Sequence, residues 1–167
     1  TADNSGVAGN ADGADGAVVA ENNGTPEAGK PAPLGPVAIS EKRVALVIGN
    51  SAYTAVSLLP NPTRDADLVA DALRHDGFND VVVLHDGNRA AIVDALKSFA
   101  KAADNADWAV IYYAGHGIEM AGENYLIPVD AQLASDRDIP DEAISLDRVL
   151  SAVEGAHKLR LVVLDAC

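Results

Sequence analysis

The sequence predicts an α/β domain whose mostly parallel sheet is covered by helices on both faces. Two observations carry that prediction. Short apolar, β-branched runs alternate with amphipathic helical stripes from residue 41 onward, and such alternation means parallel pairing through right-handed crossovers. The runs are also apolar at consecutive positions, as strands buried on both faces are. The 167 residues suffice for one such domain and are short for two.

Residues 1–40 read differently. They hold 7 of the 14 glycines, 4 of the 8 prolines, nine alanines and no aromatic residue. Such a stretch cannot bury enough apolar surface to offset about 1–2 kcal/mol of backbone entropy per residue. It is expected to be a disordered tether. It lacks a basic region followed by an apolar one, so it is no intact signal peptide. It is compatible with the segment that follows one after cleavage, which would make the chain periplasmic or secreted; otherwise the compartment is open. Asn23-Gly24-Thr25 matches the glycosylation acceptor pattern, which arises readily by chance in such a linker.

Each element then has its signal. Val44–Ile48 is a buried strand ended by Gly49-Asn50. Asn61-Pro62 opens a helix, with Asn as N-cap and Pro at its first position. Ala66, Val69, Ala70 and Leu73 form its apolar stripe, and Gly77 closes it. Val81–Leu84 is the second strand. Ile92, Ala95, Leu96 and Phe99 mark the second helix, and Trp108–Tyr113 the third strand. Gly117–Asp130 reads as a hairpin turning at Ala121-Gly122-Glu123-Asn124. Ser145 caps a third helix carrying Leu146, Val149, Leu150 and Val153, which Gly155 ends. Leu159–Leu164 is the fourth strand.

Composition excludes several functions. Twelve Lys and Arg stand against 25 Asp and Glu, a net charge of −13, which argues against binding nucleic acid through its phosphates. With one Trp, two Phe and four Tyr, stacking platforms for single strands are scarce. No apolar run approaches the ~20 residues of a membrane span, so a soluble domain is expected. A single cysteine, Cys167, excludes an internal disulfide and an all-cysteine metal cage.

In doubly wound sheets ligands sit beyond the carboxyl ends of the strands. Those ends present Gly49-Asn50-Ser51, His85-Asp86-Gly87, Ala114-Gly115-His116-Gly117 and Asp165-Ala166-Cys167. A histidine between glycines at one end and the only cysteine at the next suit nucleophilic catalysis. The thiolate attacks, and the imidazole lowers the thiol pKa and later protonates a leaving amine. The glycines would let a substrate backbone approach the imidazole and free the Gly117 N–H for an oxyanion. Taken singly, a cysteine after an apolar strand is a small buried hydrophobe, and a Gly-His-Gly loop is a tight turn. His75 and His157 read as solvated. His85 competes with His116, but a flavodoxin-like strand order 2-1-3-4 puts it ~14 Å from the fourth strand, and it is rejected as the base.

Tyr112-Tyr113-Ala114-Gly115-His116-Gly117 followed by Leu164-Asp165-Ala166-Cys167 resembles the large-subunit region of caspase-like cysteine peptidases. The 51-residue step from His116 to Cys167 fits the ~50 residues of a caspase signature. Ala45–Asn50, Asn61-Pro62 with Asp65-Ala66, Gly77-Phe78 and Tyr125–Asp130 add to the likeness, which spans residues 42–167 and is nearest to the bacterial paracaspase and metacaspase-like branch. It implies a caspase-haemoglobinase fold, here a three-layer sandwich truncated after its fourth core strand. It implies a His116–Cys167 dyad, an oxyanion hole from the Gly117 and Cys167 N–H groups, and endopeptidase activity without a cofactor. Some metacaspases respond to calcium, but no calcium loop is recognisable here. Animal caspases carry Gln where this chain has Asp165, and their first P1-binding arginine would fall near Leu59. In the branch resembled, acids matching Asp65 and Asp165 line a pocket for Arg or Lys, and two carboxylates suit a guanidinium. Peptide or protein substrates with a basic P1 residue are therefore expected. Without the resemblance, Asp65 is a helix-start acid and Asp165 an incidental strand-end acid. The resemblance further implies a small-subunit portion beyond Cys167, whose lack would leave a sheet edge open to homo-association. Two alternatives stand beside the peptidase: a non-catalytic caspase-like scaffold, and a flavodoxin-like domain for a small anionic ligand, weakened by the single glycine in Gly49–Tyr53.

Overall fold

The structure is a computed structural model that describes residues 41–166. The tether, its Asn23 pattern and Cys167 lie outside the described residues. The elements run β1 (Arg43–Gly49), α1 (Pro62–His75), β2 (Asp80–His85), α2 (Arg89–Ala103), β3 (Trp108–Gly115), β4 (Gly117–Met120), β5 (Glu123–Leu126), α3 (Ile139–Glu142), β6 (Ile144–Ser145), α4 (Leu146–Ser151) and β7 (Leu159–Ala166).

The main sheet has the order β2-β1-β3-β7, and every pairing in it is parallel. That is the expected 2-1-3-4 order. Alternation along the central strands divides the core. Val47, Tyr112 and Ala114 face α1, packing on Ala66 and Ala70. Leu46, Ile48, Ile111 and Tyr113 face the other way, toward Ile92 and Leu96 of α2 and Val149 of α4. A three-layer α/β sandwich results.

Several expectations shift in detail. The Asn61 side chain makes no capping hydrogen bond and its backbone is helical. The Thr63 N–H instead donates to Ser51 Oγ at 3.3 Å, so a residue from the β1–α1 loop caps the helix. Gly77 takes φ +85° past the end of α1, as a helix stop requires. The β4–β5 hairpin turns on Ala121-Gly122 alone, both at positive φ, and Glu123 and Asn124 already belong to β5. A third strand, β6, joins this hairpin; its two residues are too few to show a period in the sequence. Ser145 caps α4 as expected, accepting from the Arg148 N–H at 3.4 Å. That helix ends at Ser151, however, and Leu150 is exposed while Val153 is buried.

At the far edge, β7 pairs with β3 and with no other strand among the described residues. It leaves Leu161, Val163 and Leu164 about two-fifths exposed.

Candidate active site

Both strands that carry the candidate residues run further than their apolar cores suggest. β3 continues to Gly115 and β7 to Ala166, because backbone pairing persists where apolarity ends. Ala114 therefore pairs with Asp165 and Gly115 with Ala166. Asp165 lies within its strand, not after it. His116 is the first residue past β3, and Cys167, the residue after Ala166, is outside the described set. Gly117 opens β4 opposite Leu126. A methyl group placed on Gly117 would lie 3.3 Å from the Ala166 Cβ, so these two strand ends are in close contact.

His116, Asp65 and Asp165 line one cleft of about 400 Å³, together with Leu59, Pro60, Asn61 and Pro62. Asp65 comes from the first turn of α1, and Asp165 comes from the face of β7 on which α1 packs. The Tyr112 hydroxyl donates to Asp165 Oδ2 at 3.2 Å. Burial, then the Asp165 charge and hydrogen bond and the Asp65 charge, push the Tyr112 phenol up to about 12. One neutral phenol thus faces both carboxylates. Among the described residues no cluster of three His, Cys, Asp or Glu side chains is placed to hold a metal.

The imidazole is positioned by a segment that sequence reasoning passed over. The β1–α1 loop is tied down at both ends: Asn50 N–H donates to Ala114 O at 2.9 Å, Thr54 N–H to Val129 O at 2.9 Å, and Leu59 N–H to Ser51 O at 3.1 Å. This brings the Ser57 carbonyl within 2.8 Å of His116 Nε2. It also lays the Tyr53 ring against the imidazole, with centroids 4.6 Å apart and planes tilted by 55°. Asn50, fully buried, accepts from the Gly87 N–H at 2.8 Å and donates to the Ile127 carbonyl at 3.3 Å. It joins the ends of β1, β2 and β5. A polar residue straight after a buried strand was the available signal, but nothing local tells such a residue from a turn former.

Gly115 lines the same cleft, and its lack of a side chain has a second use that its sequence context does not show. A Cβ there would lie 2.5 Å from Tyr53 Oη and 2.6 Å from Tyr113 Oη, so the missing side chain makes room for two phenols. His85 stands on the opposite edge strand and pairs with Asp67 at 3.0 Å, away from the cleft. His75 and His157 are exposed.

With this geometry in place, the comparison with known proteins is direct. The sequence matches the caspase domain family over residues 42–167. The chain belongs to that family. Two curated relatives are 34% identical to it over 93 residues, 56% of this chain: the mucosa-associated lymphoid tissue lymphoma translocation protein 1 of Homo sapiens and its homolog of Mus musculus. The chain spans about a tenth, 11%, of the length of either relative. Within the caspase domain the parallel four-stranded sheet and its helices are those the family fold calls for. No helix among the described residues is long and apolar enough to cross a membrane.

Proposed function

We propose that this caspase domain is a cysteine endopeptidase that cleaves protein or peptide chains after Arg or Lys. One observation carries the reading: His116 and two carboxylates, Asp65 and Asp165, open on a single cleft. The register of β3 and β7 runs to Gly115 and Ala166, the residues directly before His116 and Cys167, so the order of the chain favours this pair as the dyad.

In this scheme the Cys167 thiolate attacks the scissile carbonyl and its electrons move onto the oxygen. The Gly117 and Cys167 N–H groups stabilise that oxyanion. On collapse the C–N bond breaks, and His116 gives its proton to the departing amine. His116 then takes a proton from water as it attacks the thioester, and the acid product leaves with the thiol restored. The Ser57 carbonyl, 2.8 Å from Nε2, suits an imidazole held as a proton donor on that nitrogen while Nδ1 works. Asp65 and Asp165 hold the P1 cation as two hydrogen-bonded counter-charges. No cofactor takes part.

Hydrolysis of a fluorogenic peptide ending in Arg tests the reading. Cys167→Ala and His116→Ala should each abolish it, and Asp65→Asn and Asp165→Asn should raise KM about tenfold or more for the Arg peptide. Cleavage that survives Cys167→Ala would overturn the mechanism. A peptidase indifferent to both Asp variants would overturn the specificity.

The exposed apolar strip on β7 favours a second, compatible reading, association of two copies through that edge. Against the anionic-ligand reading, Asp86 Oδ1 accepts the Ser51 and Ala52 N–H groups at 2.7 and 2.8 Å in the loop after β1, which sets a carboxylate where that ligand would bind.

A further inference from the structure

The two phenols above Gly115 form a closed circuit on His116. The His116 N–H donates to Tyr53 Oη at 2.7 Å. The Tyr113 hydroxyl donates to the His116 carbonyl at 2.7 Å, with the Ile127 carbonyl a longer second acceptor at 3.1 Å. The two hydroxyls lie 3.3 Å apart. A phenol has one proton to donate. If Tyr113 directs its proton to His116, the bond between the phenols is donated by Tyr53. The circuit then runs from the N–H of His116 through Tyr53 and Tyr113 back to the carbonyl of the same residue. The N–H and the carbonyl of one residue, on either side of its Cα, are both held, in a part-buried site where hydrogen bonds reinforce one another.

We infer that Tyr53 and Tyr113 are positioning residues for His116, a claim that rests on the peptidase reading. A free loop residue could rotate its imidazole by turning its own backbone. Here the φ and ψ of His116 are held by the circuit together with the Ile127 N–H, which donates to the same His116 carbonyl at 3.0 Å, while the tilted Tyr53 ring and the Ser57 carbonyl limit the side chain. Burial raises both phenols above their ordinary value, which keeps the protons the circuit needs. Gly115 is part of the same device, since any side chain there would occupy the hydroxyls' space. Neither tyrosine lines the cleft, so neither is expected to touch substrate.

The test is Tyr53→Phe, Tyr113→Phe and the pair together, each in the full chain. Tyr53→Phe retains an aromatic ring at this position and removes only the hydroxyl. Each single variant should lower kcat for the Arg peptide ~10-fold or more, with KM within about twofold, as positioning without binding demands. The double variant should lose no more than the worse single one, because a circuit opened once is open. Because Tyr113 is fully buried, the result is also read without activity. In Tyr53→Phe, whose fold is checked by its amide spectrum, the His116 amide proton should exchange faster with solvent and the contacts between the imidazole and ring 53 protons should weaken. A kcat unchanged in Tyr53→Phe, a loss appearing in KM, additive losses, or an unaltered His116 spectrum would overturn the inference. If the wild-type chain cleaves nothing, the peptidase reading fails and the spectra alone decide whether the circuit holds His116.

Discussion

Gly115→Ala offers the most demanding check on how the site is packed. The added methyl would lie 2.5 and 2.6 Å from the Tyr53 and Tyr113 hydroxyl oxygens, where 3.4 Å or more is ordinary contact. Both oxygens would have to retreat by nearly 1 Å, beyond hydrogen-bonding reach of each other and of His116. Three hydrogen bonds at ~1 kcal/mol each set the loss at about 3 kcal/mol. Urea denaturation followed by far-UV circular dichroism measures it as a lower midpoint at constant slope. The control is the same substitution in a Tyr53→Phe/Tyr113→Phe background. There the two hydroxyls are gone, and of the three nearest atoms the Tyr113 ring carbon, 2.9 Å away, remains. The cost should fall to about 1 kcal/mol. A full loss in that background would show that the methyl meets something other than the phenol circuit. No loss in either background would refute the packing altogether.

Three further outcomes follow from the same packing. A methyl at Gly49 would lie 2.5 Å from the Pro62 carbonyl oxygen and 2.8 Å from the Ala66 Cβ, neither of which can swing aside; Gly49→Ala should cost about 3 kcal/mol in urea denaturation and displace α1 with Asp65. Tyr112 holds its proton up to about 12, whereas unfolded it would release it near 10, so its contribution is complete below pH 10 and fades as pH climbs toward 12. Removing the neighbouring charge with Asp165→Asn should make that phenol ionise at lower pH in a phenolate absorbance titration, and an identical curve would show that the two side chains do not meet. On the β7 edge, Leu161→Lys with Val163→Lys should shift sedimentation toward a monomer if copies associate there; association that persists unchanged would place the contact elsewhere.

Much of this protein was legible in its sequence, and for physical reasons. Central strands must be apolar on both faces, so Val44–Ile48 and Trp108–Tyr113 announced themselves, and the helical stripes between them settled a parallel order. Edges were less clear. β7 outlasts its apolar run by two residues, and β6 has only two, because backbone pairing leaves no mark on side-chain periodicity. The Asn61 cap failed for a related reason: a hydroxyl from Ser51, ten residues earlier, reached the helix end instead.

The candidate site divides along the same line. By itself the sequence determined which chemical groups stand near the strand ends, since each apolar run gives way there to glycine, histidine or aspartate. What tertiary structure decided is the company they keep. The fold turned Asp65 and Asp165 onto one cleft with His116, and it brought Tyr53, 63 residues away from His116, back over the imidazole. It also gave Gly115 a purpose that its neighbours in the chain do not reveal. Local chemistry is written in short windows of residues, whereas a hydrogen-bonded circuit closes only through space, after the chain has returned on itself.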